Sequence, residues 1–531
     1  AGWSSPVARQ AHNLKVRGSN PLPATPPLTF GSRRADFFLE FSQGFHLTRN
    51  RIEVSHRRGE NFLMNAEPSI WHNASPGDLS FGFPETRSGD VEKSVKKSIA
   101  AFQGWAGLSL EKRREALEKC RVALQDRSEQ LAVLISRETG KPLREARLEM
   151  GAVIAKFDLT FADGDRYLRD TMIDDGPHPA LVRRHPLGPA AVIAPYNFPI
   201  HLGHGANVAY LLAGNTVLFK PSPMAVNTGL AYAQAMQTGL PAGVFEVVPG
   251  WGETGKSLCA HPAVRAVCFT GSVPVGRALS EMLAQDYSKC LALELGGKNS
   301  AIICGDADIA LAAEAVADGM CLTAGQRCNA TSRVLVDKKI ARPFLEKLLT
   351  SVARYSLGDV LEDTTMLGPL ISLAAHERYE KLTSLDIGDW ILPGGILEKN
   401  SCNQHGYWVL PAIVVASQSS ALDRSPLAQQ EIFAPILVVE IYSSEDEAIS
   451  RHEAWKFGLT ASVFTADPDR FQRLGANLSV GNLYQNLPTT FSPSTLPFGG
   501  WGSSGNGRPG ARGFARFGIR EQAVQWRKGS Q

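Results

Sequence analysis

Residues 188–195 read GPAAVIAP and residues 215–222 read NTVLFKPS, two short apolar runs that stop at proline or serine. VFEVVPG (244–250) and AVRAVCFTGS (263–272) repeat the pattern, and helical stretches such as GLAYAQAMQTG (229–239) lie between the runs. Continuous apolar strands alternating with helices predict an α/β fold whose parallel sheet is covered on both faces. In such sheets a ligand lies at the carboxyl ends of the strands. Those ends carry the unusual residues of the chain: Pro195-Tyr196-Asn197, Lys220-Pro221-Ser222, Gly250 and Thr270-Gly271-Ser272.

Upstream, residues 90–165 read as helices. In SLEKRREALEKCRVALQ, Leu117, Cys120 and Leu124 recur at helical spacing with charges opposite. A further helix is expected from Ser128, with Leu131, Leu134 and Ile135 on one face, stopping at Gly140. Residues 167–186 break the helical pattern and read as an excursion or hairpin. Downstream, a second strand–helix series runs from LALELGGKNSAIICG (291–305) to about residue 465. From residue 490 the chain is rich in Gly, Ser and Pro and reads as no single regular element.

The 531 residues exceed what one hydrophobic core serves, so two or more domains are expected. Composition is that of a globular protein, 44% hydrophobic and 20% charged, and a net charge of +3 is too small to imply nucleic acid or a membrane surface as partner. No apolar run reaches the roughly 18–20 residues that span a bilayer. The eight cysteines are irregularly spaced, without a CxxC pair or a zinc-type cluster, which suits free thiols in a reducing compartment and no bound metal. A cytoplasmic location follows as the expectation. The first sixty residues mix Pro, Ser, Asn and Arg without a period and contain no methionine before Met64. They lack the apolar stretch of a secretory signal, and Gly18-Ser19-Asn20-Pro21 is what the T-arm of a tRNA gene would encode. Residues 1–63 are therefore expected to be a non-globular leader outside the native fold.

Chemistry concentrates at few places. LTAGQRCNA (322–330) sets Cys328 among small and polar residues, which suits either a packed core thiol or a nucleophile. Glu294 in LALELGGKN sits in an apolar strand, where partial desolvation would raise its pKa toward general-base use; the plain alternative is an edge-strand glutamate facing water. Asn197 in PYNFP is either turn chemistry or an amide donating to an oxyanion. GSVPVG (271–276) follows a strand and opens a helix, offering backbone N–H groups to a phosphate. GWGETG (250–255) makes a similar turn, and Lys220 at a strand end could reach a ribose or phosphate. Together these supply a thiol, a carboxylate base, an amide donor and a dinucleotide site, the set that oxidises an aldehyde through a thioester.

The chain resembles the aldehyde dehydrogenases over roughly residues 70–515. The motifs that carry the resemblance are PYNFP (195–199), AGNTVLFKPS (213–222), GLPAGVFEVVPG (239–250), FTGSVPVG (269–276), LELGGKN (293–299), GQRC (325–328), EIFAP (431–435) and LPFGGWGSSGNGRP (496–509). The resemblance implies a Rossmann-type cofactor domain, an α/β catalytic domain and a small oligomerisation flap in a homodimer or homotetramer. On these boundaries residues 64–296 bind NAD(P), with the flap at 167–186, residues 297–495 are catalytic, and 496–531 return to the fold. It further implies Cys328 as nucleophile, Glu294 as general base and Asn197 as oxyanion donor. Lys220, Ser222, Gly250, Gly255, Gly271, Ser272, Glu431 and Phe433 match its cofactor contacts. Pro223 stands where many NAD-preferring relatives carry an acid, which removes one argument for NAD without supplying a basic residue for a 2′-phosphate; NAD is expected and NADP stays open. Ala434 replaces the usual glycine of EIFAP.

Within the family, the tail S-G-N-x-R-P is similar to the N-succinylglutamate 5-semialdehyde dehydrogenases of arginine catabolism, as are SRETGKP (136–142), PYNFPIHL (195–202), GWGETG and AGQRC. Ile200 and Lys298 depart from that group. A substrate with several carboxylates would suit Arg508, with Asn506 nearby, as its partner; the plain reading of Arg508 is a surface-loop cap. Three other readings remain at this stage. A CoA-acylating relative would dispense with the base, a structural use of the fold would dispense with the whole set, and a papain-like thiol hydrolase would need a histidine partner that is not marked.

Overall fold

The computed structural model describes residues 67–527 apart from Asp175, Pro177 and 417–421, so the expected leader lies outside the described residues. Five parallel strands form the first sheet in the spatial order Cys290–Leu295, Ala266–Gly271, Ala190–Ile193, Val217–Lys220, Phe245–Val247. The first strand in the chain lies in the middle, and the order reverses between it and Ala266–Gly271. That makes the sheet doubly wound, with its ligand crevice at the carboxyl ends beside the reversal. The apolar runs explain the two covered faces. Val217 and Phe219 pack into a core with Trp105, Phe157, Tyr232 and Phe245, while Leu218 between them packs with Val95, Leu258 and Val267 on the other side.

The second sheet has seven strands in the order Gly388–Lys399, His405–Ala416, Ile436–Tyr442, Thr331–Asp337, Asn299–Ile303, Thr460–Phe464, Asn482–Gln485. All neighbours are parallel except the first pair. Here the structure corrects the sequence reading. LALELGGKNSAIICG does not open one series but is cut in two, Cys290–Leu295 closing the parallel run of the first sheet and Asn299–Ile303 lying inside the second. Gly296 and Gly297 make the crossing. A Cβ on Gly296 would sit 2.3 Å from Glu431 Oε2, and one on Gly297 2.3 Å from the carbonyl oxygen of Cys328. Only residues without a side chain let those groups approach.

The helices fall where their periods place them. Leu117, Cys120 and Leu124 are buried on Leu110–Asp126, and Ser128–Thr139 ends at Gly140, whose φ of 75° is the left-handed stop. The excursion at 167–186 holds two antiparallel strands, Thr171–Ile173 and Ala180–Pro186, and Ile519–Gln525 from the tail pairs along the second. The rest of the tail is used in pieces. Pro497–Phe498 pairs with Gly510–Ala511, and Gly505–Asn506 runs antiparallel along the free edge of Cys290–Leu295, placing Gly505 opposite Glu294. Among the described residues, no helix is long and apolar enough to cross a membrane, and no His, Cys, Asp and Glu side chains group as metal ligands. All eight cysteines are free.

Candidate active site

The carboxyl ends of the first sheet gather the residues expected to hold a dinucleotide. Lys220 ends its strand at 4% exposure, with Nζ donating, among the described residues, to the carbonyl of Pro221 alone at 3.3 Å; burial lowers the amine to about 8. Two of its three donors are thus unspent. Gly255, on the Gly252–Ala260 helix, lies against the stem of Lys220, and Gly250 precedes that helix with φ 154°. Ser222 Oγ accepts the N–H of Met224 and starts a single turn, and the carbonyl of Pro223 accepts from Asn73 Nδ2 and Trp71 Nε1. Gly271 ends the Ala266–Gly271 strand, on the other side of Ala190–Ile193. Ser272 then precedes the Val273–Leu283 helix, and its side chain makes no cap bond, so the helix offers its N-terminal turn uncapped.

Cys328 enters from the second sheet, in the loop before Thr331–Asp337. The turn that delivers it is strained: Thr323, Ala324 and Gly325 all have left-handed φ, at 55°, 53° and 68°. Two are not glycine, and a β-branched residue there is an outlier that its surroundings must hold. Glu145 does the holding. It accepts the N–H and Oγ1 of Thr323 at 3.2 and 2.8 Å and Nη2 of Arg327 at 2.7 Å. Gln326 is held as well, Oε1 accepting from Ile371 N–H and Nε2 donating to the carbonyls of Thr323 and Pro369. Replacing Glu145 by alanine takes the carboxylate from Arg327 and leaves the Thr323 N–H unpaired in the interior. The variant is expected to lose about 3 kcal/mol of stability in urea melts, and activity with it; an unchanged melt would show that the turn does not depend on Glu145.

Three further groups meet the thiol. Asn197, 3% exposed, donates from Nδ2 to the carbonyl of Gln326 at 2.8 Å, which ties the PYNFP turn to the cysteine loop. That turn is itself fixed from below, where Glu149 accepts the N–H groups of Ile200 and His201 while paired with the buried Lys141. Glu294 is 2% exposed, and neither carboxylate oxygen has a hydrogen-bond partner. Burial pushes its pKa well above the carboxylate range, only partly opposed by the Arg508 charge. The Cys328 thiol is likewise pushed up, by burial first and then by the charges of Glu294 and Glu431, against the backbone N–H groups of Asn329 and Cys328 itself. Glu431 accepts the Gly297 N–H at 3.3 Å, and burial raises it to about 7. Phe433, with φ 56°, packs edge-on to Tyr196.

So the structure brings Cys328, Glu294, Glu431 and Asn197 together and lays the Lys220–Ser272 group along the sheet ends. Arg508 is placed differently. Its Nη2 is taken by the carbonyls of Gly481 and Pro497 and by Asn482 Oδ1, while its Nε is buried without a partner near enough to Glu294 to feel its charge. Asn506 Oδ1 accepts the N–H of Leu293 and so pins the base-bearing strand. Sequence reading missed Asn299, whose Nδ2 donates to the carbonyls of Cys328 and Ala330 and whose Oδ1 accepts from Thr460. It also missed Arg378, which donates to the Glu431 carbonyl. Lys298, the departure in LELGGKN, is buried with Nζ unpartnered over the Trp455 ring.

Comparison with known proteins agrees with this geometry. The sequence profile of the Aldehyde dehydrogenase family matches residues 70–524. The chain is 34% identical to N-succinylglutamate 5-semialdehyde dehydrogenase of Novosphingobium aromaticivorans over 80% of its length and 89% of the relative's. It is 33% identical to 4-trimethylaminobutyraldehyde dehydrogenase B of Danio rerio over 79% of its length and 81% of the relative's. Among solved structures it matches an NAD-dependent aldehyde dehydrogenase from Sinorhizobium meliloti at a TM-score of 0.81 and 29% identity, covering 87% of this chain and 92% of that one.

Proposed function

The chain belongs to the aldehyde dehydrogenase family, and on that premise we propose that it oxidises a carboxylate-bearing aldehyde, N-succinylglutamate 5-semialdehyde, to the acid. The observation that carries the chemistry is the buried, unpartnered Glu294 beside the Cys328 thiol, with the Asn197 amide bonded to the loop that carries the thiol. The Cys328 thiol gives up its proton to solvent, and the thiolate sulfur bonds to the aldehyde carbon. The resulting oxyanion is met by the second Nδ2 hydrogen of Asn197 and the backbone N–H of Cys328. A bound nicotinamide dinucleotide supplies the hydride acceptor. Its ribose and phosphate groups fit the unspent donors of Lys220, the Ser222 hydroxyl, the uncapped helix start after Gly271-Ser272, and Glu431 with Phe433. Glu294 then draws a proton from water, which releases the acid from the thioester and leaves the thiol free. Residues 64–296 and 297–495 serve as the cofactor and catalytic parts in this reading.

N-succinylglutamate semialdehyde carries two carboxylates, and Arg508, with Nε unspent beside Glu294, is the cation proposed for the nearer one. A cationic aldehyde, of the kind named for the zebrafish relative, would meet like charge here. The test compares kcat/KM for N-succinylglutamate semialdehyde with acetaldehyde, hexanal and benzaldehyde, with NAD or NADP and with or without CoA. The acidic aldehyde should lead by about tenfold or more, the worth of one hydrogen bond to a charged group. NAD should lead NADP, because no basic residue stands at Pro223, and CoA should not be needed. Equal turnover of the neutral aldehydes would remove the substrate assignment, and an NADP lead would reverse the cofactor assignment.

A further inference from the structure

Lys156 has no place in the chemistry above. It lies on the Leu143–Tyr167 helix at 5% exposure, and among the described residues it forms no ion pair. Its one hydrogen bond among the described residues goes from Nζ to Ser494 Oγ at 3.2 Å, which leaves two of three ammonium donors unspent there. The groups around it supply little counter-charge. His201 and His204, on the helix packed against it, are kept neutral by burial. Asp163, the acid whose charge it feels, is turned to the Gly513 N–H and to Arg512. Gly205 leaves room beside the stem, where a Cβ would lie 3.5 Å from Lys156 Cε. An uncompensated buried ammonium lowers stability, and the low dielectric that makes it unfavourable strengthens its attraction for an entering anion.

The loop that carries Ser494 also borders the thiol. Ser492 Oγ accepts Nδ2 of Asn329, the residue after Cys328, at 2.7 Å, and two residues of chain separate Ser492 from Ser494 by at most roughly 7 Å. We propose that Lys156 and Ser494 form a carboxylate subsite that receives the far carboxylate of an acidic aldehyde whose carbonyl lies at Cys328. The proposal rests on the dehydrogenase reading above and adds the residue that selects the anionic end.

Its test uses Lys156→Met, Lys156→Arg and the wild type. N-succinylglutamate and glutarate should inhibit oxidation of hexanal competitively in the wild type. Methionine should raise both inhibition constants by about tenfold or more, the worth of a charge-assisted hydrogen bond, and arginine should restore most of the loss. With N-succinylglutamate semialdehyde as substrate, methionine should raise KM and spare kcat, while kinetics with hexanal stay unchanged. Thermal melting should move upward in Lys156→Met, since an unpaired charge leaves the interior. Failure of either acid to inhibit the wild type, or equal inhibition of wild type and Lys156→Met, would overturn the subsite whatever the natural substrate. If the acids inhibit through Lys156 yet N-succinylglutamate semialdehyde is oxidised no better than hexanal, the named substrate falls and the subsite stands.

Discussion

Cys328→Ser is expected to lose at least about three orders of magnitude in kcat/KM for aldehyde oxidation, the scale on which removal of a covalent nucleophile is felt. The hydroxyl holds its proton far more tightly than the thiol and is a poor nucleophile without a strong base. Little else should change. The carbonyl of residue 328 keeps its bonds to Asn299, and the turn before it stays held by Glu145. Most of the cofactor contacts come from the other sheet, and Glu431 and Phe433 lie outside the altered loop, so dinucleotide affinity, read by quenching of tryptophan fluorescence, should remain near wild type. Residual activity close to wild type would mean that another thiol reacts. Cys321, nearest in sequence, is fully buried in the core of the second sheet, with a thiol that burial pushes well above its ordinary range, and could not do so without local unfolding.

Glu294→Gln should separate the two halves of the reaction. The amide cannot draw a proton from water, so hydrolysis of the thioester should slow by about 10²–10⁴-fold. Rapid mixing should show a burst of reduced cofactor matched to the number of sites, then a slow steady state. The pH dependence follows from the raised pKa of the wild-type carboxyl. Below that pKa the group is protonated and idle as a base, so deacylation should rise with pH through a point above the ordinary carboxylate range. That limb should vanish in the amide variant. Deacylation at the normal rate in Glu294→Gln would transfer the base role elsewhere, Glu431 being the other buried carboxyl whose charge reaches the thiol.

What was legible in the sequence was whatever a short window could carry. The apolar runs at 188–222 and 244–272 announce a parallel sheet because strands buried on both faces have no polar residues to spare. The residues at their ends then fall in the crevice by topology alone. Cys328 and Glu294 were readable as candidates, but whether either faces water depends on the fold, and the plain reading of Glu294 as an exposed edge glutamate fails because Gly505–Asn506 covers that edge. Glu145 and Glu149 show what a window cannot carry. On the Leu143–Tyr167 helix they look like ordinary charges of a solvated face, yet their partners lie 178 residues on at Thr323 and 51 on at Ile200. Asn299 stands in a quoted motif, but its partners are main-chain carbonyls that no pattern of side chains reveals.

The edge strand at Gly505–Asn506 also sets a clock. Asn506 reaches back 213 residues to the N–H of Leu293, next to the base. A ribosome adding roughly 5–20 residues per second needs on the order of 10–40 s to make that interval. Throughout it the strand bearing Glu294 has an open edge, and for most of it Cys328 has been made but its pocket is unfinished. The nascent chain therefore exposes a sheet edge competent for pairing with other chains, and it cannot form the complete pocket. Chemical competence arrives only once Gly505–Asn506 has been made and closes the edge.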